Sequence, residues 1–142
     1  MVGLDLGERR IGVAISDASG TLARPLMTIT RGVSDAEALD ALRALIADLS
    51  AEEEVASVVV GLPAHLDGTP SAQTTRVGAL VALLAGRLAV PVFTQDERLS
   101  SHEAEERLSL GEKDWRKRKA KLDAAAAAVI LQDFLDSERG KG

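Results

Sequence analysis

The 142-residue chain contains no cysteine, which excludes disulfides and thiolate metal sites and fits a reducing cytoplasm as its expected location. Aromatic side chains are almost missing too: two Phe, one Trp and no Tyr. A protein that reads RNA sequence by stacking bases on aromatic platforms needs more of them. The only histidines, His65 and His102, stand far apart in the sequence, so no clustered imidazoles suggest zinc. His102 is assigned to the surface, and His65 to a loop that could face a cleft. No run of 18 or more apolar residues is present, so no apolar membrane helix is expected. Nor is a signal peptide expected, because the first strand-like segment already begins at Val2.

What the chain does have is the composition of a globular protein, 46% apolar and 27% charged, and one domain spanning residues 1–142 is expected. The net charge of -5 by itself opposes a nucleic-acid partner. Its distribution changes that conclusion. Residues 113–121 read KDWRKRKAK, six basic residues and one acid, whereas acids gather elsewhere, as in Glu52, Glu53 and Glu54.

Two apolar runs, Val2–Leu6 and Ile11–Ser16, flank GERR and predict a β-hairpin. A third strand over Thr21–Ile29 contains Pro25, which suits a sheet edge. Ser34 and Glu37 form a capping box that opens a helix to Leu49, with Leu39, Leu42, Ile46 and Leu49 on one face. The β-branched run Val55–Val60 reads as a buried parallel strand that ends in GLP. A helix over Ser71–Leu88, a strand over Val90–Thr94 and a capped helix from Ser100 to about Gly111 follow. The basic segment is then expected as a loop, and Ala124–Leu135 as a buried final helix. Hairpin first and helical crossovers later predict a mixed α/β sheet with helices on both faces.

Three acidic positions are candidates for one site. Asp5 interrupts the first strand, where Asp is disfavoured. Asp96 and Glu97 follow the strand Val90–Thr94. Asp123 is expected at the N-terminus of the last helix. Side chains at the carboxyl ends of parallel strands converge in such sheets. Clustered carboxylates repel unless a cation lies between them, and hard oxygen donors suit Mg²⁺ or Mn²⁺. Gly7, lacking Cβ, would let a phosphate backbone come close. A plainer account is also open on the residues alone, with Asp5 capping a turn and Asp123 capping a helix.

Four segments, DLGERRIGVA (Asp5–Ala14), GLPAHLDGT (Gly61–Thr69), DERLSS (Asp96–Ser101) and LDAAAAAVIL (Leu122–Leu131), resemble in order and spacing the bacterial YqgF family. Its members are described as pre-16S rRNA nucleases and as Holliday junction resolvase-like. The resemblance runs from Val2 to about Phe134. It implies a ribonuclease H-like fold, a five-stranded sheet in order 3-2-1-4-5 with strand 2 antiparallel. It also implies a nuclease that matures the 5′ end of 16S rRNA with Mg²⁺ or Mn²⁺, leaving a 3′-OH and a 5′-phosphate. By motif, the catalytic and metal-holding acids are Asp5, Glu97 and Asp123; Asp96 is set aside because it alternates with Glu97 along the strand. Arg98 and Ser100 of DERLSS are candidate phosphate contacts, Ser100 being equally a helix cap. Departures occur at Ala64 and His65, where the family usually has a larger apolar residue and often Asn, and at Ala124, where it often has Ser.

Arg9 and Arg10 in the hairpin, and Arg116, Lys117, Arg118 and Lys119 in the basic segment, are further candidates to grip phosphate. Trp115 could stack on a base or anchor that segment. The partner is then RNA, or branched DNA if the protein resolves four-way junctions. Junctions need two symmetric cuts, which a homodimer would supply. A non-catalytic ribosome-assembly factor is the reading of another class, opposed by the presence of all three acids. DLG also resembles the phosphate loop of actin-like ATPases, but those need two lobes and this chain has length for one.

Overall fold

The computed structural model describes residues 1–7, 10–30, 34–52, 55–63, 72–97 and 115–141, with side chains at all of these except 97, 115–120 and 139–141. Among the described residues there are five strands: β1 Val2–Leu6, β2 Arg10–Ser16, β3 Ala23–Thr30, β4 Val58–Pro63 and β5 Val92–Glu97. Three helices accompany them there: α1 Asp35–Glu52, α2 Ala72–Ala85 and α3 Trp115–Lys141. The sheet order is β3-β2-β1-β4-β5. β2 runs antiparallel to both β1 and β3, while β4 runs parallel to β1 and β5. This is the expected mixed sheet and order.

Strand alternation divides β1 between two layers. Val2, Leu4 and Leu6 join Ile11, Val13, Val58 and Val60 in a core shared with Ala38, Leu39, Leu42 and Ile46 of α1 and Val77, Leu80 and Leu84 of α2. Gly3 and Asp5 have the opposite parity. That other face carries Ala14 and Val59 and is covered by Ala127, Ile130, Leu131, Phe134 and Leu135 of α3. Small residues let α3 lie very close there. A Cβ on Gly3 would sit 2.7 Å from Leu131 Cβ and 3.0 Å from the Ala127 carbonyl oxygen.

Local signals in the sequence are matched by local structure. The Ser34 hydroxyl accepts from the Glu37 amide at 3.2 Å, capping α1. β3 is an edge strand holding Pro25, as predicted. Its register slips between Val13↔Met27 and Ala14↔Pro25, so Leu26 is an extra residue, a bulge. In the turn after β2, the Asp17 carboxylate accepts from the Thr21 and Leu22 amides at 2.8 and 3.2 Å, and these bonds hold its pKa below the ordinary value. No helix among the described residues is long and apolar enough to cross a membrane.

Three expectations are corrected. The basic segment is helical from Trp115 onward, so α3 spans 27 residues and Asp123 is its ninth rather than its cap. No Gly or Pro occurs between Glu112 and Arg139, and Arg and Lys are good helix formers, so nothing stops the helix at Asp123. β5 extends to Glu97, which places Asp96 and Glu97 inside the strand. Gly7 answers to the hairpin itself: its amide donates to the Arg10 carbonyl at 3.0 Å, and a Cβ would come within 2.6 Å of that oxygen.

Candidate active site

Asp5 pairs directly with Gly12 across the β1–β2 ladder. Cross-strand partners project to the same face, so the carboxylate of Asp5 lies on the α3 side. Of Gly3 and Gly12, Gly12 has α3 closer to it. A Cβ built there would stand 1.9 Å from the Asp123 carbonyl oxygen and 3.0 Å from the Ala124 nitrogen. One glycine thus carries the geometry: Asp5 beside it in the sheet, Asp123 above it on the helix. The expectation that these two acids meet on one face therefore has a structural route, although the route differs from the predicted helix cap.

Arg10, two residues before Gly12, shares its parity along β2. Its Nε donates to Asp123 Oδ2 at 2.8 Å, with the two side chains 29% and 27% exposed. A single charge-assisted bond at that exposure contributes about 1 kcal/mol. Arg10, a candidate phosphate contact, thus bonds through Nε to a predicted ligand.

β5 lies two strands from β1. The Phe93 ring stacks on Phe134 of α3, centroids 5.6 Å apart, so odd-numbered positions of β5 belong to the α3 face. Asp96, opposite Leu62, has the other parity. Position 97 closes the strand opposite Pro63 and shares the parity of Phe93. β1, β4 and β5 all end at the same edge of the sheet, where β2 begins. Among the described residues, no group of three His, Cys, Asp or Glu side chains could hold a metal ion; the side chain of Glu97 is outside that set.

The eight residue steps from Trp115 to Asp123 span about 12 Å of helix. Asp123 packs over Gly12, near the start of β2, so these turns run on past the start of that strand. Arg116, Lys117, Arg118 and Lys119 belong to this projecting piece. Arg9, Arg98, Ser100, the predicted helix to Gly111, His65 and His102 lie outside the described residues.

Two features escape sequence reasoning. Gly12 has a signal: an isolated glycine within the strand pattern RIGVAIS marks a close backbone approach. The Arg10–Asp123 pair has none, since its members are 113 positions apart.

The sequence model of the family described as "RuvX: Holliday junction resolvase" matches residues 1–137. A curated relative from Roseiflexus sp. (strain RS-1) is 42% identical over 139 residues, covering 98% of this chain and 95% of its own length. Another, from Chloroflexus aggregans, is 46% identical over 140 residues, covering 98% and 94%. Both carry the name "Putative pre-16S rRNA nuclease". Among solved structures, RuvC of T. thermophilus in complex with a Holliday junction superposes with a TM-score of 0.57 at 17% identity, covering 99% of this chain and 97% of its own. That likeness establishes the ribonuclease H-like fold. The family match over residues 1–137 and these relatives show that this chain belongs to the RuvX (YqgF) family.

Proposed function

We propose that the protein is a divalent-metal-dependent nuclease that hydrolyses phosphodiester bonds, acting in 5′-end maturation of pre-16S rRNA. What supports this reading is the placement of Asp5 beside Gly12 in the sheet, on the face where the backbone of Asp123 packs over that glycine. Asp is disfavoured within strands, and a second carboxylate on the same face would suit cation binding. The donor set fits the group. Asp5, Asp123 and Glu97 would supply hard oxygens, with no thiolate in the chain, which suits Mg²⁺ or Mn²⁺. When bound, such an ion supplies Lewis-acid charge that makes water a better nucleophile and steadies the leaving oxygen.

The chain's own residues do the rest. β1 and α3 fix two carboxylates on rigid elements. Arg10 and the first turns of α3 bring positive charge to a site whose ligands are negative, so that a phosphate can approach. Arg9 and Arg98 stay candidates for phosphate contact on their sequence motifs alone. The relatives' name supports an RNA substrate, while the family description favours a second reading, cleavage of four-way DNA junctions by a homodimer. A cytoplasmic location follows from either.

Side-by-side digestion separates them. Single-stranded RNA carrying the 16S 5′ flank is expected to be cut with Mn²⁺ and spared with EDTA, leaving 5′-phosphate ends. Preferential cutting of an immobile DNA junction would favour the second reading; cleavage of neither would remove both.

The basic turns make a separate prediction. Replacing Arg116, Lys117, Arg118 and Lys119 by Gln should weaken RNA binding. It should also flatten the log–log salt dependence by roughly 0.7 for each phosphate no longer neutralised, so by about 3 if all four bind. Filter binding from low to moderate salt measures this. An unchanged slope would show that these residues are only solvated charge.

A further inference from the structure

The Arg10–Asp123 pair sets a constraint on metal loading. The Arg10 side chain donates from Nε to Asp123 Oδ2. A guanidinium does not deprotonate in proteins, so this positive charge cannot be discharged to make room for a cation. Any divalent ion reaching Asp123 meets it at close range. The pair is also only about a quarter exposed, so water screens it incompletely.

We infer that Arg10 is the site's resident counter-cation: it neutralises Asp123 in the metal-free protein and competes with the divalent ion for that carboxylate. The inference rests on the metal-nuclease reading. Arg10 stands where it does because β2 begins there. Gly12, two residues on, brings the helix down on the strand, and an arginine of the same parity then reaches the ninth residue of α3. The pair settles two like-charged acids before an ion is present, and it makes ion affinity weaker than the acids alone would give. Arg10 is thus a positioning residue whose charge sets the metal affinity.

The experiment is Mn²⁺ binding to the full-length protein at low salt, read by EPR and calorimetry, with no nucleic acid present. Arg10→Gln removes the charge and should tighten Mn²⁺ binding by about tenfold. Arg10→Met, which keeps an unbranched aliphatic stem, should do the same and serves if the Gln variant folds poorly. Arg10→Lys keeps the charge and should stay within about threefold of wild type. Thermal melts add a second reading: the neutral variants should melt lower than wild type in EDTA and recover in saturating Mn²⁺. Damage to the fold would weaken ion binding, so tightening cannot come from a merely structural role. If wild type binds Mn²⁺ and the neutral variants bind no tighter, the inference about Arg10 falls and the metal reading stands. If wild type fails to bind Mn²⁺ at millimolar concentration, the metal reading falls and this inference with it.

Discussion

Replacing Asp5 by Asn is expected to abolish Mn²⁺-dependent cleavage, by roughly a thousandfold or more, while leaving the fold intact. The argument starts from strand parity. β1 gives its Val2, Leu4 and Leu6 side chains to the α1–α2 core, so position 5 contributes nothing to that packing. On the other face Asp5 is only partly buried, beside Gly12 and beneath the helix that carries Asp123. Asn has nearly the same size and retains hydrogen-bonding capacity, but it lacks the charge that holds a divalent ion. Losing one such ligand removes several kcal/mol of transition-state stabilisation, and every 1.36 kcal/mol is a factor of about ten. Circular dichroism and the melting temperature should stay close to wild type. Cleavage retained at wild-type rate by a folded Asp5→Asn protein would refute the assignment of this residue.

Gly12→Ala is expected to do the opposite kind of damage, to stability and activity together. Its new Cβ would fall 1.9 Å from the Asp123 carbonyl oxygen and 2.4 Å from its carbonyl carbon. Both are backbone atoms, so no side chain can rotate away and α3 must lift by roughly 1 Å or more to restore ordinary separation. Overpacking of this kind costs typically about 1–3 kcal/mol, and a collision between two backbones belongs at about 3 or beyond. For a chain of this size the melting temperature should drop by roughly 10 °C. Lifting the helix also draws Asp123 away from Asp5 and from Arg10, and a misplacement of about 1 Å at a reacting centre costs on the order of a hundredfold in rate. Gly3→Ala is the control. Its Cβ meets the Leu131 side chain and the Ala127 carbonyl, further along α3, so it should lower stability with a smaller loss of cleavage. Equal loss of activity in the two variants at matched stability would mean that the Gly12 contact does not align the site.

Much of this arrangement can be read from the chain. Val2, Leu4 and Leu6 alternate with Gly3 and Asp5, which marks a two-faced strand with a misplaced acid. Ser34 and Glu37 announce α1, and Pro25 announces an edge. Composition and hydrophobic period carry those signals because packing against a core imposes them. The start of α3 is not legible in the same way. Its first turns project past the sheet and need no apolar stripe, so WRKRKAK shows no helical period and resembles a loop. Gly7 illustrates a different failure: its place after the acid suggests room for substrate, but the room is taken by the chain's own Arg10 carbonyl. The Arg10–Asp123 bond depends on which strand lies under which helix, a property of topology that no local window contains.

The unbroken length of α3 has one more consequence. From Trp115 to Lys141 it is a rod of about 40 Å whose only glycine, Gly140, is near the far end. Its later half packs on the sheet, and its first turns run on past the start of β2. Force applied to those turns meets no glycine or proline hinge before it arrives at residue 123. In the proposed function, grasping a polymer and aiming a carboxylate would be two ends of the same lever.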